Sequence, residues 1–506
     1  MELEKQYCIY CKRELSKNKR RKNQWHVKCH QSIYGKSSDI IFKGEIIYKK
    51  DYSVLQELDK EIKDQSSRYR LIKLTNLIHM FENFSYVISN KAVIGLDLKF
   101  QVQSIFYDLK HLETLYVTQF NDIRAEIAQL KNLRKLIIKH SGILKLPREI
   151  GKLTKLEYLE ISGISGLTKL PTSIGNLKNL KTLKIAPINE VVKIQELPVT
   201  ISQLQNLEFF YISGTNVTKL PKGFAQLKNL QELYILSRSL TELIPLTNFK
   251  QLRVFECQAK VTDLPESFSD LEGLEEVKIY NNSVTEIPSV LNFTKLKKFE
   301  IYNTLINRLP SGLSQIPHLK VLIIKQNPVK VLPVALSKLS ELEIFDASQT
   351  NLTKLPEEFT FPELKKLNLE KTFITQLPQD IFLPKLEELR ISCFMTGISK
   401  FISLKQVYIV NTLPGKELDS FPEELFNLNN LLSLDIGKAN FTSIEDKFEL
   451  LSKLRHLYIH KTKIRSMTGI PNSLREKIQS RNMVIYVHPE FDKQVVENTK
   501  NLKIKI

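Results

Sequence analysis

Four residues near the amino terminus have the types and spacing to hold a metal. Cys8 and Cys11 are separated by two residues, and after fourteen more His26 and Cys29 are separated by two again. Two such pairs can surround one tetrahedral Zn²⁺, because thiolates and an imidazole supply four soft donors from two short turns. His30 can take the place of His26 in the same set. About fifty residues bury little apolar surface, so a bound metal would supply folding free energy that the core does not. The expectation is a basic zinc-binding module over residues 1–50, with structural Zn²⁺ held by Cys8, Cys11, His26 and Cys29. The competing reading is three reduced thiols in a solvated tail. Between the two pairs run Lys17, Lys19, Arg20, Arg21 and Lys22. Residues 1–50 carry thirteen Lys and Arg against five Asp and Glu, a large share of the chain's net charge of +19. A loop of that kind can contact phosphates, which keeps nucleic acid among the partners, although a solvated loop explains it equally.

The remaining polar residues do not assemble into catalytic motifs. The chain has no phosphate-cradling GxxxxGK[ST] loop, no GxSxG elbow and no HExxH pair. The pairs Glu357–Glu358 and Glu423–Glu424 each follow a proline, where negative charge favours the first turn of a helix. His456 and His460 fall on one predicted strand and read as a surface pair, while Cys257 and Cys393 read as packing residues. No catalytic residue is assigned, and the chain is expected not to be an enzyme. Its start is charged, and no run approaches the ~18 apolar residues of a membrane span. A cytoplasmic protein with no membrane partner is therefore the expectation. Hydrophobic residues at 42% and charged residues at 25% fit a folded chain rather than a disordered one.

What must position any site is a repeat. Leu153, Leu156, Leu159 and Ile161 form the pattern LxxLxxLxI, which returns at Leu177, Leu180, Leu183 and Ile185 and at Leu227, Leu230, Leu233 and Ile235. The third apolar position recurs from Leu115 to Leu457 in sixteen repeats, mostly 21–24 residues apart, and a shorter unit around Leu96 makes seventeen. In Leu-x-Ile the two apolar side chains face one way and their neighbours the other, as in a half-buried strand. Leu-Pro or Ile-Pro follows about a dozen residues later, for example at Pro147, Pro171, Pro198, Pro310 and Pro333, with Phe-Pro at Pro422. Proline cannot join a ladder but can open a helical turn. After Pro171, Ile174, Leu177 and Leu180 return every three residues, which suits a short α or 3₁₀ segment. A small polar residue recurs between strand and proline, at Thr215, Asn282, Thr304, Asn327, Thr350, Thr372, Thr412 and Thr462. Pointing inward at a bend, it needs backbone partners that stacked neighbours supply.

These features resemble the leucine-rich-repeat family, pattern LxxLxLxx(N/T)xLxxLP, over about residues 92–487. The subgroup they most resemble is the intracellular one of plant disease-resistance receptors and Ras-pathway scaffolds. The resemblance implies an α/β solenoid, a horseshoe with a parallel sheet on its concave side. Spacing departs from the pattern at 183–210 and 389–434. Trp25, His26 and Cys29 after Cys8 and Cys11 resemble the first zinc half of a LIM domain, but His30, Gln31 and Ser32 stand where its next cysteine pair would begin. The domain reading is 1–50 zinc module, 51–91 helical cap, 92–469 repeats, and 470–506 closing cap with a loose polar tail after His488.

The outward strand positions of the sixteen repeats hold nine acidic and eight basic residues, so that face is near neutral and is no phosphate-tracking groove. It also carries Phe209, Tyr211 and Tyr234 on adjacent repeats, and Tyr280 and Tyr302 in one column. Tyrosines dominate binding hot spots because they are large, rigid and amphipathic; cross-strand packing is the competing explanation. The expected function is a protein–protein interaction scaffold binding a protein partner on the concave face. The alternative is a nucleic-acid-binding protein that uses residues 1–50, with the repeats recruiting a second partner.

Overall fold

The computed structural model describes residues 104–487 except 165, 188–192, 445–446, 465–469 and 481–482, together with 39–42, 45–48, 51, 53–55, 57, 79–80, 84–89, 92–98 and 504–505. Cys8, Cys11, His26, Cys29 and the basic loop lie outside the described residues. The chain falls into two compact units, Met1–Leu240 and Thr241–Ile506.

In the first unit, Asp39–Phe42 and Glu45–Tyr48 form an antiparallel hairpin. His79–Met80, Phe84–Ser89 and Ala92–Leu98 are also antiparallel, so strands occupy part of the segment expected to be a helical cap; Asp51, Ser53–Leu55 and Glu57 are helical. Buried Asp51 accepts the Val93 N–H at 2.9 Å, which ties that segment to the sheet. From Ala92–Leu98 the sheet runs parallel through Thr114–Thr118, Lys135–Lys139, Tyr158–Ser162, Thr182–Ala186, Phe209–Ser213 and Glu232–Leu236, in strict register.

The second unit continues the pattern from Val254–Cys257 through Glu276–Tyr280, Lys298–Tyr302, Val321–Ile323, Ile344–Asp346 and Lys366–Leu369. Glu388–Ile391, Gln406–Ile409, Ser433–Asp435, His456–Tyr458 and Val484–Tyr486 follow. The helix Asn472–Gln479 precedes the last of these. Ile504–Lys505 then pairs with Ile485 and Tyr486. Part of the tail expected to be loose is thus a strand, because the last repeat offers an open ladder edge that backbone N–H and C=O groups satisfy.

The apolar register determines the core. All sixteen of the recurring third apolar positions, Leu115 to Leu457, are at most 1% exposed. Each repeat alone leaves this row open to water, and the next repeat covers it. Strands leave the sheet through one left-handed residue, at Gln119, His140, Asn281, Asn303, Gln326, Gln349, Lys371, Asn411, Lys438 and Lys461, or at Gly163 and Gly214. The small polar residue that follows closes the bend. Thr215, Thr304, Asn327, Thr350, Thr372 and Thr462 are buried as expected, while Asn282 and Thr412 are only half-buried. Ser141, Ser237 and Ser392, which the repeat pattern does not single out, are buried in the same way: Ser237 Oγ donates to Thr215 O, and Ser392 Oγ to Leu369 O.

The return segments are 3₁₀ helices such as Arg148–Lys152, Thr172–Asn176 and Ser311–Gln315, each capped by the preceding proline in extended conformation. Not every proline opens one. Leu153, Leu177 and Ile316 stand six positions after Pro147, Pro171 and Pro310, but Phe293, Phe361 and Leu383 stand five positions after Pro288, Pro356 and Pro378, and those three segments carry no helix. One residue fewer leaves no room for the five-residue 3₁₀ segment that follows the other prolines. Glu357 and Glu358 therefore precede no helix, contrary to the expectation from their sequence. Glu423 and Glu424 do open one, and they also reach across repeats, Glu423 to Lys447 Nζ at 2.7 Å and Glu424 to the Gly397 N–H at 2.8 Å.

Candidate partner-binding face

Alternation along the strands leaves every second side chain outside the core. Thr114–Thr118, Phe209–Ser213 and Glu232–Leu236 each alternate half-buried with buried residues. The half-buried members of all the strands in a unit form one face.

In the first unit this face is a continuous set of cation–aromatic and ionic contacts. Lys135 Nζ lies 5.6 Å from the Tyr116 ring centre and 4.9 Å from that of Tyr158. Tyr158 donates its hydroxyl to Glu160 at 2.8 Å, and Ser162 donates to the same carboxylate at 2.7 Å. Lys139 lies 3.1 Å and Lys184 3.7 Å from Glu160. Burial opposes charge on Glu160, but the hydrogen bonds from Ser162, Tyr158 and Lys139 outweigh it and hold the carboxyl below its usual range. Burial, together with Glu160, pushes the Tyr158 phenol up. Lys184 also lies 5.6 Å from the Tyr211 ring, where the aromatic group begins. Phe209 packs on Tyr234 at 5.3 Å and Tyr211 on Tyr234 at 5.7 Å. Tyr234 donates to Glu232 at 2.8 Å.

In the second unit, Tyr280 and Tyr302 are stacked, with ring centres 5.1 Å apart and planes 15° from parallel. Tyr280 donates to Glu256 at 2.9 Å, Lys278 pairs with Glu256 at 3.2 Å, and Lys325 lies 5.0 Å from the Tyr302 ring. Of the five residues that the sequence singles out, the structure thus brings Phe209, Tyr211 and Tyr234 together in one unit, and Tyr280 and Tyr302 in the other.

Further along, in the same unit, is a group that sequence reasoning misses. The Arg390 guanidinium lies 3.9 Å from the Tyr408 ring centre and donates to Glu388 at 2.8 Å. Tyr458 and Tyr486 stack at 4.1 Å and 8°. His456 and His460, expected as a surface pair, are half-buried; among the described residues the Nδ1 of His456 has no hydrogen-bond partner, and that of His460 lies 3.7 Å from Asp435 Oδ1. The signal for this group is the outward position itself: Tyr408 and Tyr458 each follow the buried residue of their strand, as Tyr211 does. Tyr486 is harder to find, because its strand reads as a cap rather than as a repeat.

Ionic ladders run along a second line, the residues just before each strand. Glu157 sits between Arg134 and Lys181, Glu275 between Arg253 and Lys297, and Glu343 between Lys320 and Lys365. In each case hydrogen bonds from the flanking cations hold the carboxyl below its usual range. Nearby asparagines stitch repeats together: Asn132 donates to Lys110 O, Asn179 to Thr154 O, Asn206 to Lys178 O and Asn229 to Gln205 O. On the proline side, where the helix after Pro288 is absent, an open notch of about 520 Å³ is lined by Asp263, Glu266, Glu286 and Arg308 among others.

Among the described residues no group of three or more His, Cys, Asp or Glu side chains is placed to hold a metal. Cys257 and Cys393 are buried free thiols, and burial pushes Cys257 up to about 12. Among the described residues, no helix is long and apolar enough to cross a membrane.

Residues 148–325 match the family model of a leucine-rich repeat region. Those residues carry leucine-rich repeats. No curated protein matches the chain in sequence. A solved leucine-rich-repeat protein of Bacteroides thetaiotaomicron aligns with 90% of this chain and 72% of its own, with a TM-score of 0.65 and 14% identity. A leucine-rich-repeat protein of Leptospira interrogans aligns with 76% of this chain and 86% of its own, with a TM-score of 0.52 and 22% identity. The Arabidopsis receptor kinase HAESA, solved in complex with a peptide hormone and a co-receptor, covers 87% of this chain and 82% of its own, with a TM-score of 0.55 and 20% identity. At these identities the likeness is one of fold.

Proposed function

We propose that this leucine-rich-repeat chain is a non-enzymatic scaffold that binds a protein partner on the outward face of its sheet. The observation that carries the reading is the aromatic group Phe209, Tyr211 and Tyr234, three large half-buried rings in contact on adjacent strands. The charges on the sheet strands are largely matched by neighbours within each unit, Glu160 by Lys139 and Lys184 in the first, and Glu256 by Lys278 in the second. Such a face offers aromatic area with little net charge, which suits a protein surface better than a polyanion. HAESA, of the same fold, is solved with a peptide hormone and a co-receptor. A partner captured by the intact chain and identified is titrated against Tyr211→Ala, Tyr234→Ala, Tyr280→Ala and Tyr302→Ala. Hot-spot residues lose on the order of 2 kcal/mol, roughly a thirtyfold loss of affinity. Affinity unchanged across all four variants rules out this face.

For residues 1–50 the proposal is a zinc-bound adaptor, supported by the spacing of Cys8, Cys11, His26 and Cys29. Metal analysis of the purified protein is expected to find about one zinc per chain, lost on Cys8→Ser together with Cys11→Ser. Nucleic-acid binding is the second reading, favoured by the basic run from Lys17 to Lys22. It requires DNA or RNA affinity of the full chain that falls steeply with salt and is lost when that run is neutralised. Flat, weak binding excludes it.

A further inference from the structure

Asp435 differs from three other carboxylates of the sheet strands. Glu160, Glu256 and Glu388 each lie within ion-pair distance of lysine or arginine. Among the described residues, the ion-pair partner of Asp435 is His460 alone, at 3.7 Å, and its Oδ1 accepts the Gly437 N–H at 3.0 Å. Its side chain is 18% exposed, and burial outweighs the hydrogen bond and the histidine, pushing the carboxyl up.

The surroundings form a slot. Register sets Asp435 between Tyr408 on one neighbouring strand and Tyr458 on the other. On its own strand the outward residues beside it are Ser433 and Gly437, which carry no tall side chain of their own, and the His460 ring packs over Gly437 at that end of the slot. Both rings are supported from behind: Arg390 lies 3.9 Å from Tyr408, from the strand beyond, and Tyr486 stacks on Tyr458 at 4.1 Å. At ~4.8 Å between strands, the two tyrosines are roughly 9.6 Å apart. A flat group entering midway would lie about 4.8 Å from each ring, inside the ~6 Å reach of a cation–π contact.

We propose that Tyr408, Tyr458 and Asp435 form a receptor for the guanidinium of an arginine side chain presented by a partner protein. Two π faces attract a cation and the carboxylate at the floor neutralises it, and a planar guanidinium can also stack on an aromatic face. Arg390 against the far side of Tyr408 shows the same chemistry within the chain itself. Arg390 is already committed to Glu388, and His460 lies 3.7 Å from Asp435 Oδ1.

The slot shares only the outward face with the scaffold reading and uses a different set of residues. The test is calorimetric titration of the full chain at pH 8, where histidines are ordinarily neutral. The probes are blocked pentapeptides of glycine with arginine, lysine or citrulline at the centre. Arginine is expected to bind most tightly, with citrulline, its uncharged counterpart, about tenfold weaker. Asp435→Asn keeps an acceptor for the Gly437 N–H, so the strand is preserved, yet it is expected to remove the preference for arginine over citrulline. Tyr458→Leu is expected to weaken arginine as well. No binding at millimolar peptide, equal affinity for arginine and citrulline, or a preference that survives Asp435→Asn each overturns the proposal. Tyr211→Ala and Tyr234→Ala, which bear on the scaffold reading, are expected to leave the peptide titration unchanged, and loss of arginine binding in them would overturn this placement.

Discussion

Asn327→Ala tests how the stacked repeats are held together. The Asn327 side chain is 2% exposed and makes four hydrogen bonds. Its Oδ1 accepts the Thr304 N–H at 2.9 Å and the Thr304 hydroxyl at 2.7 Å, and its Nδ2 donates to Ile301 O and Ile324 O, both at 2.8 Å. One side chain thus satisfies groups in its own repeat and in the one before it. Alanine leaves those groups buried without it. Each unsatisfied group costs about 1–3 kcal/mol, and water entering the space or a local shift recovers part of that, so a total of about 3–5 kcal/mol is expected. Asn327→Thr, the residue type at Thr304 and Thr350, keeps an acceptor and a donor and is expected to cost about half as much. Urea unfolding followed by circular dichroism gives the overall loss, and amide exchange over residues 299–327 shows where it falls. A repeat array need not unfold in one step, so the local exchange is the decisive reading. If Asn327→Ala lies within about 1 kcal/mol of the parent and exchange at Thr304 is unchanged, the side chain is not what holds the bend.

Two further perturbations follow from the packing. A Cβ on Gly175 would collide with Thr200 O and lie 2.8 Å from Thr200 Cβ, because the 3₁₀ segments of adjacent repeats approach backbone to backbone there. Gly175→Ala is expected to cost about 1–3 kcal/mol, visible as a lower melting temperature, and a variant as stable as the parent would mean that the segments separate freely. Glu160 is held below its usual range in the folded chain, so its charged form contributes stability above the unfolded carboxylate value of about 4.3 and loses it as pH falls through the lower folded value. Glu160→Gln is expected to cost about 1–2 kcal/mol at neutral pH and progressively less on acidification, measured as melting temperature against pH. A difference that grows toward low pH would reverse that sign.

Much of this protein is legible in the order of its residues. The row from Leu115 to Leu457 announces the buried core of each unit, and the alternation around it alone assigns Phe209, Tyr211 and Tyr234 to the outward face. That works because both signals are local: a strand sends alternate side chains to opposite faces whatever lies beside it. The loss of helices after Pro288, Pro356 and Pro378 is also written there, in a five-residue spacing that an averaged repeat conceals. Other features are decided only by stacking. Tyr408, Asp435 and Tyr458 become neighbours across gaps of 27 and 23 residues, so their slot exists only once register is set. Glu160 is ion-paired with Lys139 and Lys184, which belong to different repeats. Burial, counter-charge and ring-to-ring distance are properties of pairs brought together by the ladder, and one-dimensional spacing does not contain them.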